Sequence, residues 1–361
     1  MTTTHRTPKF HPLKVAEVRR ETPEAVSLRF DVPNELADDY RFVQGQHLNL
    51  KVKIGGEELR RSYSICAGVD DAELRVAIKK VSGGAFSTWV NADGIKVGDV
   101  VEVMTPEGRF HTPLDPAHAK QYVAFAAGSG ITPILSLIKT TLRAEPKSRF
   151  TLVYGNRRQS SVMFAEALED LKNRYLARLT LYNLFSREEQ EVPLFNGRLD
   201  GERVAAFLDT LIPVDSIDEA FVCGPGGMID DVEAALARAG VSPEHLHVER
   251  FGVPASAPDH HVEPGDAVQA TITVIADGLK REMEFRAEDP SILDVALAAG
   301  MDLPYSCKGG VCCTCRAKVV EGKVRMDKNF TLEQPDIEAG YILTCQAHPL
   351  TERVVISFDE R

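Results

Sequence analysis

Between residues 10 and 105 apolar and polar positions alternate in short runs. LKVAEVRR, AVSLRFDV, HLNLKVKI, RSYSICAG, LRVAIKKV and DVVEVM carry the period of two of a half-buried strand, and Gly, Asp or Pro falls between them. Six strands at this spacing predict a small antiparallel barrel. From about 120 to 250 the pattern changes. YVAFAA is a continuous apolar run, as a fully buried strand shows, and Ile131, Ile134, Leu135, Ile138 and Leu142 follow at helical spacing. RFTLVYG, VMFAEALEDLKNRY, RLTLYNLF, EAFVCGPG and MIDDVEAALARAG continue the exchange of strand and helix, which predicts a parallel sheet with helices on its faces. GVPASAPDHHVEPGD is rich in Pro, Ala and Asp and reads as a linker. The adjacent His260 and His261 within it read as solvated. Beyond it VQATITVIADGLKREMEF predicts a hairpin and SILDVALAAG a short helix. The expected organisation is multidomain, α/β plus all-β: a barrel over 1–115, an α/β domain over 116–251, a linker over 252–265 and a last domain over 266–361.

Composition narrows the function more than the fold. Apolar residues make up 43% of the 361 and charged residues 26%, ordinary for a globular protein. The first residues, MTTTHRTPKFHPLKV, have no apolar core of a secretory signal, and no apolar run is long enough to cross a bilayer. The expected place is therefore the cytoplasm, with no membrane partner. A net charge of −11 argues against nucleic acid.

Reduced thiols in that compartment more often hold metal than pair with each other. Four of the seven cysteines lie in CKGGVCCTC. The spacing of Cys307, Cys312 and Cys315, with Cys345 far downstream, is the C-x4-C-x2-C…C of plant-type [2Fe–2S] ferredoxins. Two irons need two thiolates each, and Gly309 and Gly310 let backbone N–H groups approach the sulfurs. Zinc favours two separate C-x2-C knuckles, and only one pair here has that spacing. Cys313 stands where such loops usually carry a small residue and reads as its substitute, with ligation through it an open alternative. Cys66 reads as a buried thiol.

The turn AAGSGITP joins a buried strand to a helix, where glycines and the helix N-terminus suit a pyrophosphate. It departs from the full dinucleotide fingerprint by having Pro133 at the last position. The following strands end in YGNRRQ and SREEQ, so arginines stand where an NAD-selective site has an acid. Arg157 and Arg187 suit a 2′-phosphate, which points to NADPH over NADH, whereas Arg158 reads as an ordinary solvated charge. In the barrel, RSYSI and SGGAFSTWV offer an arginine, an aromatic ring and a Gly/Ser-rich helix start for a second pyrophosphate and a flat ring.

In order, RSYS, GGAFST, GSGITP, CGPGGM, ERFG and CKGGVCCTC resemble the ferredoxin–NADP reductase superfamily fused to a plant-type ferredoxin. With the ferredoxin last and the tail AGYILTCQAHPLT, the chain is most similar to the reductase components of phenylacetyl-CoA epoxidases, bacterial multicomponent diiron oxygenases of phenylacetate catabolism. The resemblance implies an antiparallel FAD-binding barrel, a parallel-sheet NADP-binding domain and a C-terminal β-grasp ferredoxin. It implies that Arg61 pairs with the FAD pyrophosphate, Tyr63 stacks on the isoalloxazine and Ser64 reaches its N5. Gly84, Ala85, Phe86 and Ser87 would cradle the second FAD phosphate; Gly128, Gly130, Thr132 and Pro133 would lie along NADPH. Ser186 and Arg187 match the 2′-phosphate dipeptide, Cys223, Gly224 and Pro225 would face the nicotinamide, and Met228 would pack behind them. Glu249 and Phe251 would approach the flavin from the far side, Ser64, Cys223 and Glu249 forming the catalytic set. Two departures stand out: Cys313, and the missing terminal aromatic of plant reductases, whose place Phe251 is the candidate to take.

Electron counting orders the cofactors. NADPH gives electrons in pairs, an iron–sulfur cluster takes one, and FAD can do both, so FAD stands between them. The expected acceptor is the hydroxylase component of an oxygenase. Residues 266–361 hold 16 acidic and 11 basic residues, net −5, against −6 for the preceding 265, so the ferredoxin segment is more acidic per residue and suits a basic docking face. Ring hydroxylases, alkane hydroxylases and demethylases are alternative acceptors. An iron–sulfur redox sensor is the rival of another class, and it lacks a recognisable DNA-binding segment.

Overall fold

The computed structural model describes residues 8–252, 263 and 265–360, so His260, His261 and most of the expected linker lie outside the described residues. The described residues divide between two compact units, one spanning His11–Phe251 and one drawn from Met1–Phe10 and Gly252–Arg361.

In the first unit the alternating runs become β1 (Phe10–Thr22), β2 (Ala25–Asp31), β3 (His47–Ile54), β4 (Glu57–Ser64), β5 (Leu74–Lys79) and β6 (Val100–Met104). They form an antiparallel sheet in the order β4-β3-β6-β1-β2-β5. Alternate side chains share one face of a strand. Leu13 and Val15, Leu48 and Leu50, Val76 and Ile78, and Val101 and Val103 accordingly fill the interior, each almost without solvent contact. Burial of each such side chain contributes about 1.5–3 kcal/mol. A short helix, α1 (Ala85–Trp89), sends Phe86 into the same core.

The second pattern becomes β7 (Gln121–Ala127), α2 (Ile131–Ala144), β8 (Arg149–Asn156), α3 (Ala165–Arg174), β9 (Leu179–Phe185), α4 (Gly201–Thr210), β10 (Glu219–Gly224), α5 (Gly226–Ala239) and β11 (Leu246–Arg250). The sheet is parallel, in the order β11-β10-β7-β8-β9. β7 is its centre and is covered on both faces. Tyr122, Ala124 and Ala126 enter one cluster and Val123 and Phe125 the other, which is why its sequence shows no alternation. Helix α3 starts at Ala165, later than the apolar run beginning at Val162, because Phe164 takes a left-handed conformation (φ 60°). The chain builds outward from β7 through β8 to β9, then returns to β10 on the other side. That reversal leaves a crevice beyond the ends of β7 and β10, where open α/β sheets bind ligands. Barrel and sheet share a core: Ala25, Cys66, Ala77 and Phe110 pack with Tyr122, and Phe110 meets Phe221 edge to face at 5.3 Å.

The second unit holds β12 (Gln269–Ala276), β13 (Leu279–Arg286), α6 (Ile292–Ala298), β14 (Arg316–Glu321), β15 (Val324–Met326), α7 (Gln334–Glu338), β16 (Tyr341–Leu343), β17 (Ala347–Pro349) and β18 (Arg353–Ser357). Its main sheet is mixed, in the order β13-β12-β18-β14-β16. Ser291 caps α6 by accepting from the Asp294 N–H, and the helix buries Ile292, Leu293 and Ala296 in the unit's core. A mixed sheet with one helix in its core is the architecture expected of the C-terminal domain.

Candidate functional site

The crevice is built by close backbone approach. A Cβ on Gly130 would lie 2.0 Å from the Cys223 carbonyl oxygen, so only glycine lets the turn after β7 meet the end of β10. Helix α2 opens directly behind it, with Thr132 donating to the Ser129 carbonyl (3.0 Å) and Pro133 in the first turn, where its missing N–H costs nothing. Replacing Gly130 with alanine is expected to cost about 1–3 kcal/mol through overpacking against backbone. At about 2–4 °C per kcal/mol, thermal unfolding of the nucleotide-free protein should fall by about 2–12 °C. Gly227, whose added Cβ meets nothing within 4 Å, is the control and should not lower the melting temperature when made alanine.

Across the crevice, three candidates from distant parts of the chain converge. Parallel pairing of β10 with β11 sets Cys223 beside Glu249. From the barrel, Ser64 at the end of β4 donates to Glu249 Oε2 at 2.9 Å, a contact spanning 185 positions. Burial pushes the Glu249 carboxyl up to about 8, opposed by the Ser64 hydrogen bond, so it holds a proton at neutral pH. Burial, and then the neighbouring Glu249, pushes the Cys223 thiol well up and keeps it neutral. Gly224 lies on Met228, whose sulfur would be 2.8 Å from an added Cβ, so Met228 packs beneath the strand end.

Tyr63 is half-buried, its ring 5.5 Å from that of Phe86. Arg61 is exposed and donates to the Arg60 carbonyl at 2.7 Å. Gly84 precedes α1, and Ser87 Oγ accepts from the Val81 N–H (3.1 Å), which closes the loop leading into Ala85 and Phe86. The first-turn N–H groups of such a helix have no intrahelical partner and suit an anion. Phe251 is exposed.

At the ends of β8 and β9 the Ser186 N–H donates to the Asn156 carbonyl (3.0 Å) and the Arg187 N–H to that of Arg157 (2.9 Å). Two dipeptides remote in sequence therefore form one basic corner. Two residues here were not read from the sequence. Tyr154 donates to the Gly128 carbonyl at 2.9 Å and so fixes the start of the glycine turn. Lys79 closes β5 with its ammonium about 3.1 Å from where a Gly128 Cβ would stand; burial, and then Arg157, lowers its pKa. A lysine ending a strand buried on both faces is the only local signal it offers.

In the second unit the four candidate ligands gather as two pairs. Cys312 donates to Cys307, and Cys315 donates to Cys345. The Cys307 thiol falls to about 6, first because Cys312 donates to it and then through the N–H groups of Gly309, Val311 and Cys312, against burial. The Gly309 N–H lies 3.3 Å from its sulfur. Among the described residues no three or more Cys, His, Asp or Glu converge as one metal ion requires. Two thiol pairs fit the two irons of a [2Fe–2S] cluster. Gly310 has φ 77°, and a Cβ there would lie 2.9 Å from the Lys328 carbonyl oxygen. Cys313 also adopts the left-handed region (φ 58°), which accounts physically for a small residue at that point of such loops.

Three stretches of the chain match families of known proteins. Residues 12–112 match the oxidoreductase FAD-binding domain, 125–234 the oxidoreductase NAD-binding domain and 274–350 the 2Fe-2S iron-sulfur cluster binding domain. The chain is 48% identical over 352 residues to one of the subunits of the 1,2-phenylacetyl-CoA epoxidase of Escherichia coli (strain K12), covering 98% of each. It is 37% identical to the ferredoxin reductase component of 3-ketosteroid-9-alpha-monooxygenase of Rhodococcus rhodochrous, covering 96% of each. Among solved structures, phthalate dioxygenase reductase superposes with a TM-score of 0.59 at 23% identity, over 97% of this chain and 98% of that one, and shares the fold. The chain therefore belongs to the ferredoxin–NADP reductase-type family of NAD(P)H-dependent flavin and iron–sulfur reductases, with FAD-binding, NAD-binding and [2Fe–2S] domains in that order.

Proposed function

We propose that this reductase takes electrons from NADPH and delivers them to the oxygenase component of a phenylacetyl-CoA epoxidase, in the cytoplasm. The observation that carries the reading is 48% identity to a component of that enzyme over 98% of both chains. Bound FAD would supply the step from paired to single electrons, and the [2Fe–2S] cluster would pass them on singly. Tyr63, backed by the buried Phe86, offers the flavin an aromatic wall, and Arg61 and the start of α1 its phosphates. Gly128, Gly130 and Lys79 receive the nucleotide pyrophosphate, and Cys223, Gly224 and Pro225 the nicotinamide. Ser64 and Glu249 hold a proton beside the reacting rings, since Glu249 is neutral and hydrogen-bonded near pH 7. Cys307, Cys312, Cys315 and Cys345, gathered as two thiol pairs, would hold the two irons.

The test is reconstitution. The purified chain, with NADPH or NADH, is combined with epoxidase oxygenase components and phenylacetyl-CoA, and in parallel with a 3-ketosteroid hydroxylase. Epoxidation driven by NADPH supports the reading. Turnover only in the steroid system, to whose reductase component the chain is 37% identical, would replace it.

The Glu249 carboxyl also makes stability depend on pH. Its folded pKa of about 8 lies above the ordinary 4.5, so between these values the folded state binds more protons than the unfolded state. Stability is therefore expected to fall as pH rises through this window and to level off above it. Glu249→Gln should remove that component, which urea midpoints of both proteins at pH 5, 7 and 9 would reveal. Parallel pH profiles for the two would count against a protonated Glu249.

A further inference from the structure

Gln346 follows the fourth candidate ligand directly and is buried. Its side-chain Nε2 donates to the Lys308 carbonyl at 2.8 Å and to the Cys345 carbonyl at 2.8 Å, and lies 3.6 Å from Cys345 Sγ. Two hydrogens thus serve three acceptors, one of them a ligand sulfur. Lys308 is a non-glycine residue in the left-handed region (φ 50°), a conformation costing about 1–2 kcal/mol. Its two polar ends are held: the carbonyl by Gln346, and the ammonium by Asp294 at 2.6 Å. The turn that carries Cys307 is thereby tied to the segment that carries Cys345.

The main chain of Gln346 extends the same frame. Its carbonyl accepts from the Asp327 N–H at 2.9 Å. The Asp327 carboxylate in turn pairs with Arg325 and with His348 (3.1 Å). Arg325 grips Asp266 through two nitrogens, at 2.5 and 2.6 Å. Three residues beyond Asp327, the Phe330 N–H donates to the Gly310 carbonyl at 3.0 Å, so this segment backs the ligand loop. Gln346 stands where the loop, its backing segment and the fourth ligand meet.

A donor aimed at a ligand sulfur acts on the electron balance as well as the geometry. Reduction of the cluster adds one negative charge, part of it on the sulfurs. An N–H beside a sulfur then stabilises the reduced form more than the oxidised form and raises the potential. We propose that Gln346 is a positioning residue for the cluster, locking the Cys307 turn to Cys345 and holding the cluster potential up through its amide donor. This rests on the [2Fe–2S] reading above.

Gln346→Met keeps length and apolar bulk but removes both hydrogens. In the full chain carrying FAD and cluster, the midpoint potential should fall until reduced-to-oxidised ratios at a fixed potential drop about tenfold, a shift of about 59 mV for one electron. The EPR g-values of the reduced cluster should move with it. A variant that holds its cluster at the wild-type potential and g-values overturns the proposal. If the variant does not retain a cluster, the wild-type chain decides. Grown with glutamine labelled with 15N at the side-chain amide, its reduced cluster should show a 15N coupling in pulsed EPR, and no coupling overturns the proposal. Wild-type protein that never acquires the visible spectrum of a [2Fe–2S] cluster overturns the iron–sulfur reading itself, and this inference with it.

Discussion

Replacing Cys345 with alanine is expected to stop electrons at the flavin. Cys345 and Cys315 form one of the two thiol pairs, so on the ligation proposed above the change would leave one iron with a single thiolate. An iron–sulfur cluster needs all four ligands, and even the partners that merely orient ligands typically change metal affinity about 10–100-fold. The nucleotide half is not at risk. It belongs to a different compact unit, with its own clusters around Tyr122, Val123 and Leu28. NADPH-dependent reduction of ferricyanide, which accepts electrons from flavin, should therefore stay within about twofold of wild type, while cytochrome c reduction falls by at least about 100-fold. Visible spectra should lose the iron–sulfur bands and keep those of flavin. Undiminished cytochrome c reduction by a variant lacking the cluster would mean that current leaves directly from the flavin.

What could be read in the chain beforehand follows physical range. The patterns over Leu13–Arg20, Ala25–Val32 and His47–Ile54 correspond to strands because alternation is local and each strand buries an apolar face. The cysteine spacing was legible for a similar reason: three ligands sit on one short loop whose glycine geometry is written into nine residues. Helix α4 was not read, although Val204, Phe207 and Leu208 have helical spacing and Asp200 caps it, because ten residues after an irregular loop give a weak period. Strand β11 was recognised only as the motif ERFG. All five of its residues are half-buried, so it shows no alternation. Strands of three residues, such as β15, β16 and β17, have no period to detect.

The site divides in the same way. Ser64, Cys223 and Glu249 each stand in a motif, but their meeting depends on the β10–β11 register and on packing between barrel and sheet. Neither is a local property. Lys79 lies in no motif and Tyr154 only opens YGNRRQ; the fold brings both to Gly128. Gln346 lies within the quoted AGYILTCQAHPLT, but the place of its amide between Lys308 and Cys345 is a property of the fold. In each case the unread part is a contact between segments that sequence distance keeps apart.

Removing the Arg187 guanidinium is expected to cost NADPH about 100-fold in kcat/KM and NADH almost nothing. Charge-assisted hydrogen bonds are worth about 1.5–3 kcal/mol each, and 1.4 kcal/mol is a factor of ten, so a two-point grip on a 2′-phosphate reaches that size. The arginines at this corner are not equivalent. Arg157 lies 3.9 Å from Glu24, which competes for its charge. Arg187 is exposed at the end of β9, with its backbone pinned to Arg157 and no ion pair to its side chain among the described residues. Arg187→Leu should therefore lower NADPH efficiency far more than Arg157→Leu, for which about threefold is expected from a partly screened surface charge. Steady-state kinetics with both nucleotides and both variants test this. Equal losses for NADPH and NADH would move Arg187 to the shared pyrophosphate. No loss with either would place nucleotide choice elsewhere, with Lys79 as the remaining cation at the glycine turn.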